Sequence, residues 1–308
     1  MGHSHAHHAD TSDARRRLAL VLGLTAAFMV AEVVGGLIAG SLALLADAGH
    51  MLSDSLSLAL ALLAAWAAQR PATSQRTFGF KRAEILAALV NGIALVAISI
   101  FIFVEAGRRL GDPPDVDGGL MLGVAVAGLA VNAAGAAILA RSAHDNLNVS
   151  AALRHVIADL LGSVGVIVAA IVVLTTGWEH ADPLVSVVIG ALVLASAWPI
   201  LRDSGRILLE ATPKGIDAGD LGRQMREQPG IVGVHDLHVW TITSGFPALA
   251  AHVLVATDDD CHARRRELER MLERDFGITH TTLQVDHAHG QQELLQIERP
   301  GAPRAQTP

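Results

Sequence analysis

Sulfur chemistry is almost missing from this chain: Cys261 is the sole cysteine among 308 residues. No intrachain disulfide can form, and no cysteine-based zinc cluster can be built. Charged residues are few, at 17% against 51% hydrophobic, and the mean hydropathy of +0.42 is too high for an ordinary soluble enzyme of this length. The start runs from Met1 and Gly2 into a histidine-rich stretch, without the short apolar region and small-residue site of a cleaved signal peptide, so the first apolar block is expected to be retained. A His-Glu-x-x-His motif is missing as well, which argues against an intramembrane metalloenzyme.

What is present comes in blocks. A window of about 19 residues marks six apolar stretches, at 18–38, 43–68, 84–107, 119–140, 149–174 and 183–205. Each can cross a hydrocarbon core of about 30 Å as a helix. Arg15, Arg16 and Arg17 precede the first stretch, Arg70, Arg76, Lys81 and Arg82 fill the second link, and Arg141 lies in the fourth. The first link, at Gly40 and Ser41, is uncharged, and the fifth, at Glu179 and Asp182, is acidic. This distribution, with the even span count, places both termini in the cytosol. The lack of tyrosine beside abundant alanine and arginine hints at a GC-rich bacterium, and hence at a multi-pass protein of the cytoplasmic membrane.

Four segments follow. Residues 1–14 hold His3, His5, His7 and His8 without an apolar pattern and are expected to be disordered, either binding metal loosely or serving as a solvated tail. Residues 15–210 form the six-helix membrane domain. Residues 211–290 carry a helix at 216–228, strands at 231–242, 247–256 and 278–286, and a charged helix at 260–274, with the alternation Val232, Val234 and then Leu237, Val239 in the first strand. The order αββαβ implies a small α+β domain with helices on one sheet face, marginal alone and helped by a partner subunit. Residues 291–308, rich in proline, are expected to be disordered.

His-x-x-x-Asp occurs twice inside apolar stretches, as His50 with Asp54 and as His155 with Asp159. Residues four apart share a helix face, so each pair can offer one nitrogen and one oxygen to a single point. Two such helices facing each other suit tetrahedral zinc. Asp47 falls on the stripe of His50 and Asp54 as a supporting residue, and Gly162 and Gly165 allow close helix approach. Interhelical hydrogen bonding or a proton relay without metal would not require the same motif twice. Zinc needs neutral imidazole and ionised carboxylate, so metal and protons compete for the same lone pairs, and an alternately exposed site can exchange one for the other. An inward proton gradient then makes the natural product metal efflux. A channel or importer and a membrane-bound sensor are the competing readings. The first conflicts with tight four-ligand binding, and the second predicts binding without net transport.

The runs Leu45 to Asp54, Phe78 to Glu84, His155 to Asp159 and His235 to Trp240 resemble those of the cation diffusion facilitators over most of residues 15–287. The resemblance implies a homodimer with six spans per subunit, a cytosolic ferredoxin-like domain, and divalent-metal/proton antiport through His50, Asp54, His155 and Asp159. It points to the zinc-preferring branch, with cobalt and cadmium as secondary substrates. No organic cofactor and no nucleic-acid partner are expected.

His235 and His252 stand on neighbouring strands and Asp286 ends the third, so these residues could converge at one sheet end, although single surface histidines are common. The resemblance implies a regulatory metal site through His235, His252, His262 and Asp286. Gln284 stands where some relatives carry histidine, which leaves a binuclear site incomplete. The loop from Arg76 to Arg82 reads either as a positive-inside anchor or as a coupling element in which Lys81 or Arg82 pairs an acid near Glu210.

Overall fold

The computed structural model describes residues 6–140 and 147–288 and divides into two compact units, Met1–Gly205 and Arg206–Pro308. Residues 1–5 and 291–308 of the expected tails, Arg141 and His289 lie outside the described residues.

The first unit is built from α1 (Ala6–Ala39), α2 (Leu42–Ala68), α3 (Ala83–Gly111), α4 (Gly118–Ala140), α5 (Leu147–Thr176) and α6 (Ala181–Leu208). Among the described residues, six helices are long and apolar enough to cross a membrane. All six apolar stretches of the sequence fall inside these helices. The first departs from expectation at its start, because residues 6–14 are helical rather than patternless. Extending an existing helix requires no new nucleus, and Ala6, Ala9 and Ala14 favour it.

Small side chains set the packing of this unit. Its core cluster includes Ala39, Ala43, Ala46, Ala125, Ala169 and Ala170. A Cβ on Gly128 would stand 2.7 Å from the Phe28 ring, so α1 and α4 approach at a distance only glycine permits. Outward positions are apolar, with Ile38, Leu161 and Trp198 each about two-thirds exposed or more, at 71%, 72% and 67%. Such a surface suits lipid.

The second unit follows the αββαβ order with α7 (Ala218–Arg226), β1 (Ile231–Thr243), β2 (Phe246–Val255), α8 (Cys261–Phe276) and β3 (His280–His287). β2 is central, antiparallel to β1 and parallel to β3. Leu221 and Met225 of α7 and Leu268, Met271 and Leu272 of α8 pack with Leu249, Val253 and Val255 of β2, so both helices cover one sheet face. Asp260 caps α8 by accepting from the His262 and Ala263 N–H groups, and Gly277 ends it in the left-handed conformation at φ 65°.

β1 is irregular. The register shifts between Ile231 and Gly233 and again between His235 and His238. The first shift leaves Val232 59% exposed, while Ile231 and Val234 pack on the core, so the expected Val232/Val234 face is not formed. The second carries Asp236 at φ 51°, an αL conformation that aspartate tolerates better than most residues.

Candidate metal site

α2 and α5 meet where both carry their polar residues. His50 Nε2 stands 3.9 Å from Asp159 Oδ1, with Asp159 buried at 8%. A Cβ on Gly162 would lie 3.1 Å from Asp47 Oδ1, so this glycine admits the Asp47 carboxylate to the α2–α5 contact. Gly165 instead faces Val185 of α6. Asp54 and His155 occupy the next turns of the same continuous helices, and their side chains lie outside the described residues. Among the described residues, no three metal-binding side chains close around one point.

A third helix contributes a residue that sequence reasoning passed over. Glu32 of α1 is 2% exposed, lies in hydrogen-bonding range of Asp47 and feels the charge of Asp159. Among the described residues, its Oε2 has no hydrogen-bond partner. The signal was available, because Glu32 is the single charged residue within 18–38, and an ionisable group inside a span usually serves function.

A second buried carboxylate has a different setting. Asp182, at the start of α6, accepts from Ser41 Oγ–H at 2.5 Å, from Leu42 N–H at 2.8 Å and from Ala43 N–H at 3.1 Å. Ser41 Oγ in turn accepts from Leu44 N–H. Arg109 Nη1 donates to Gly40 O and stands 3.9 Å from Asp182 Oδ2, while its Nε donates to Glu105. Asp182 thus neutralises the exposed N–H groups that open α2 and ties α6 to them.

In the C-terminal unit, His235 and His252 are register partners whose rings lie 5.2 Å apart. Gln284 is opposite His252 on β3 and donates to Asp286 Oδ2 at 2.9 Å. These residues occupy the sheet face away from α7 and α8. The β1 bulge adds Asp236, 3.8 Å from His252 and 3.0 Å from His238. Asp236 was not singled out from sequence, although the odd step between Val234 and Leu237 announces a phase change. His262 is exposed on the first turn of α8, which packs the opposite sheet face, and no described contact joins it to the others. Elsewhere in this unit, Arg264 bonds Asp259 at 2.8 Å and holds its carboxyl below the usual range.

A six-helix membrane unit with acids and histidine on facing helices, followed by a small ferredoxin-like unit, describes a cation transporter rather than an enzyme. Residues 18–209 match the family described as Cation efflux transmembrane domain, and residues 213–288 match Cation efflux protein, cytoplasmic domain. The chain belongs to the cation efflux family, that is, the cation diffusion facilitators, and is a multi-pass metal-efflux transporter. It is 46% identical over 292 residues to "Zinc transporter ZitB" of Shigella flexneri, covering 93% of each chain. It is 44% identical to "Cadmium, cobalt and zinc/H(+)-K(+) antiporter" of Bacillus velezensis, covering 94% of this chain and 93% of the other. A solved structure of the metal-bound C-terminal domain of the CzcD transporter from Cupriavidus metallidurans is 36% identical, covers 23% of this chain and 99% of that one, and has a TM-score of 0.22.

Proposed function

We propose that this protein exports zinc, with cobalt and cadmium as lesser substrates, from the cytosol in exchange for protons through His50, Asp54, His155 and Asp159. The observation that carries the reading is the approach of His50 on α2 to Asp159 on α5 inside the helical bundle. In our reading Asp54 and His155, each four residues along the same helix from its partner, supply the second oxygen and the second nitrogen. Two carboxylates and two neutral imidazoles carry a charge of −2, which a divalent cation or two protons cancel equally, so the loaded site avoids a net charge in low dielectric. Asp47, with Glu32 behind it, supports the site from the neighbouring turn.

The same reading places the protein in the bacterial cytoplasmic membrane as a homodimer with both termini cytosolic. The open sheet face bearing His235, His252 and Asp286 serves as the regulatory metal site of the cytosolic domain, and His262, on the helix that packs the other face, is not among its ligands within one subunit.

Zinc uptake into proteoliposomes under an imposed pH gradient tests this function. Uptake that follows the gradient and vanishes in Asp159→Ala supports antiport through the intramembrane site. Flux indifferent to the gradient would indicate a channel, and binding without flux a sensor.

A further inference from the structure

We infer that Asn132 is an additional oxygen donor to the metal at Asp159, and that it determines how well cations favouring more than four ligands are carried relative to zinc. The inference rests on the transport-site reading above.

The buried positions of α4 recur every three or four residues from Gly118 to Leu139, and Asn132 is the one among them whose side chain can hydrogen-bond. It is 1% exposed, and its Oδ1 has no hydrogen-bond partner among the described residues. A buried amide oxygen left unpaired in an apolar bundle is costly, and such groups in native structures call for a specific explanation.

The helix register shows what lies at its level. α4 and α5 run antiparallel: a Cβ on Gly118 would stand 2.9 Å from Leu174 Cγ, and one on Gly135 would stand 3.8 Å from Val156 Cγ1. Three residues back from Gly135 is Asn132, and three residues on from Val156 is Asp159. Val156, Asp159 and Ser163 are all buried, so they mark the inward stripe of α5 at helical spacing. Asn132 and Asp159 therefore occupy one level of the α4–α5 seam. α1 closes the other side, since a Cβ on Gly135 would also meet Val21 at 3.3 Å. Asn132 accordingly faces protein, not lipid.

A carboxamide oxygen is a neutral, hard donor that can raise the coordination number without adding charge. Zinc is content with four ligands. Co2+ takes five or six readily, so it gains more from Asn132 than zinc does.

Zinc and Co2+ fluxes are to be measured in proteoliposomes for the wild type, Asn132→Leu, Asn132→Asp and Asp159→Ala. Leucine keeps the approximate shape and removes the unpaired oxygen, so Asn132→Leu is expected to unfold at no lower temperature than wild type. Its Co2+ flux should fall roughly tenfold and its zinc flux by a smaller factor, so that the Co2+/zinc ratio drops severalfold, and Asn132→Asp, which keeps an oxygen donor, should restore the ratio. An unchanged Co2+/zinc ratio in Asn132→Leu, or an equal loss for both metals, overturns the inference. Should Asp159→Ala keep both fluxes, the transport-site reading itself fails, whereas loss of both fluxes in Asp159→Ala with an unchanged ratio in Asn132→Leu removes only the role of Asn132.

Discussion

Asp182 and Asp159 are both buried carboxylates of the membrane unit, at 0% and 8% exposure, yet their neighbours differ in kind. Asp182 receives three donors from Ser41, Leu42 and Ala43 and has Arg109 beside it. Around Asp159 the neighbours are a histidine at 3.9 Å and two further acids, Asp47 and Glu32. Among the described residues, Glu32 Oε2 has no hydrogen-bond partner. A buried carboxylate that is fully hydrogen-bonded fixes helices in place, while acids gathered beside a histidine inside a span suit a cation that arrives and leaves. The first cluster is architecture, and the second is the one we propose for transport.

Substitutions can break that division, beginning with the largest effect. Asp54→Ala and His155→Ala should each lower zinc flux about 100-fold, since each ligand supplies a few kcal/mol of binding. Retained flux in either variant, measured in proteoliposomes, would remove that residue from the site. Asp182→Ala should instead lower stability by about 3 kcal/mol, because it strands the α2 N–H groups and Arg109. Thermal unfolding of the detergent-solubilised protein checks this, and an unchanged midpoint would contradict the architectural role. Glu32→Gln should reduce zinc flux about fivefold with little change in unfolding, by weakening its contact with Asp47.

The smallest effect lies outside the membrane. Arg264 holds the Asp259 carboxyl below its ordinary value, so the pair stabilises the C-terminal unit above the usual carboxylate range, and that contribution is lost as pH falls through the lowered value. Arg264→Ala should flatten this acid dependence in a pH series of unfolding midpoints, leaving zinc flux unchanged near neutrality.

Much of the architecture was legible because it repeats locally. The six apolar blocks, the αββαβ order and the doubled His-x-x-x-Asp spacing each depend on residues close in sequence. What escaped depends on distant partners. Asp182 read as part of an acidic link, since the N–H groups it accepts from belong to residues 41–43. Glu32 was visible as a lone acid, but its meaning required Asp47 from the next helix. Asn132 carries no charge and gives no periodic signal, so only the α4–α5 register reveals its level. The β1 bulge was half visible in the broken alternation at Val234 and Leu237, while the placement of Asp236 beside His238 and His252 needed the fold.

The most direct measurement pairs function with stability by changing one carboxylate in each cluster: zinc flux and unfolding midpoint for Asp159→Asn beside Asp182→Asn. Asp159→Asn is expected to lose zinc flux while unfolding near the wild-type temperature, and Asp182→Asn to unfold earlier. Wild-type zinc flux in Asp159→Asn, or a loss of stability there equal to that of Asp182→Asn, would contradict the assignment of Asp159 to transport.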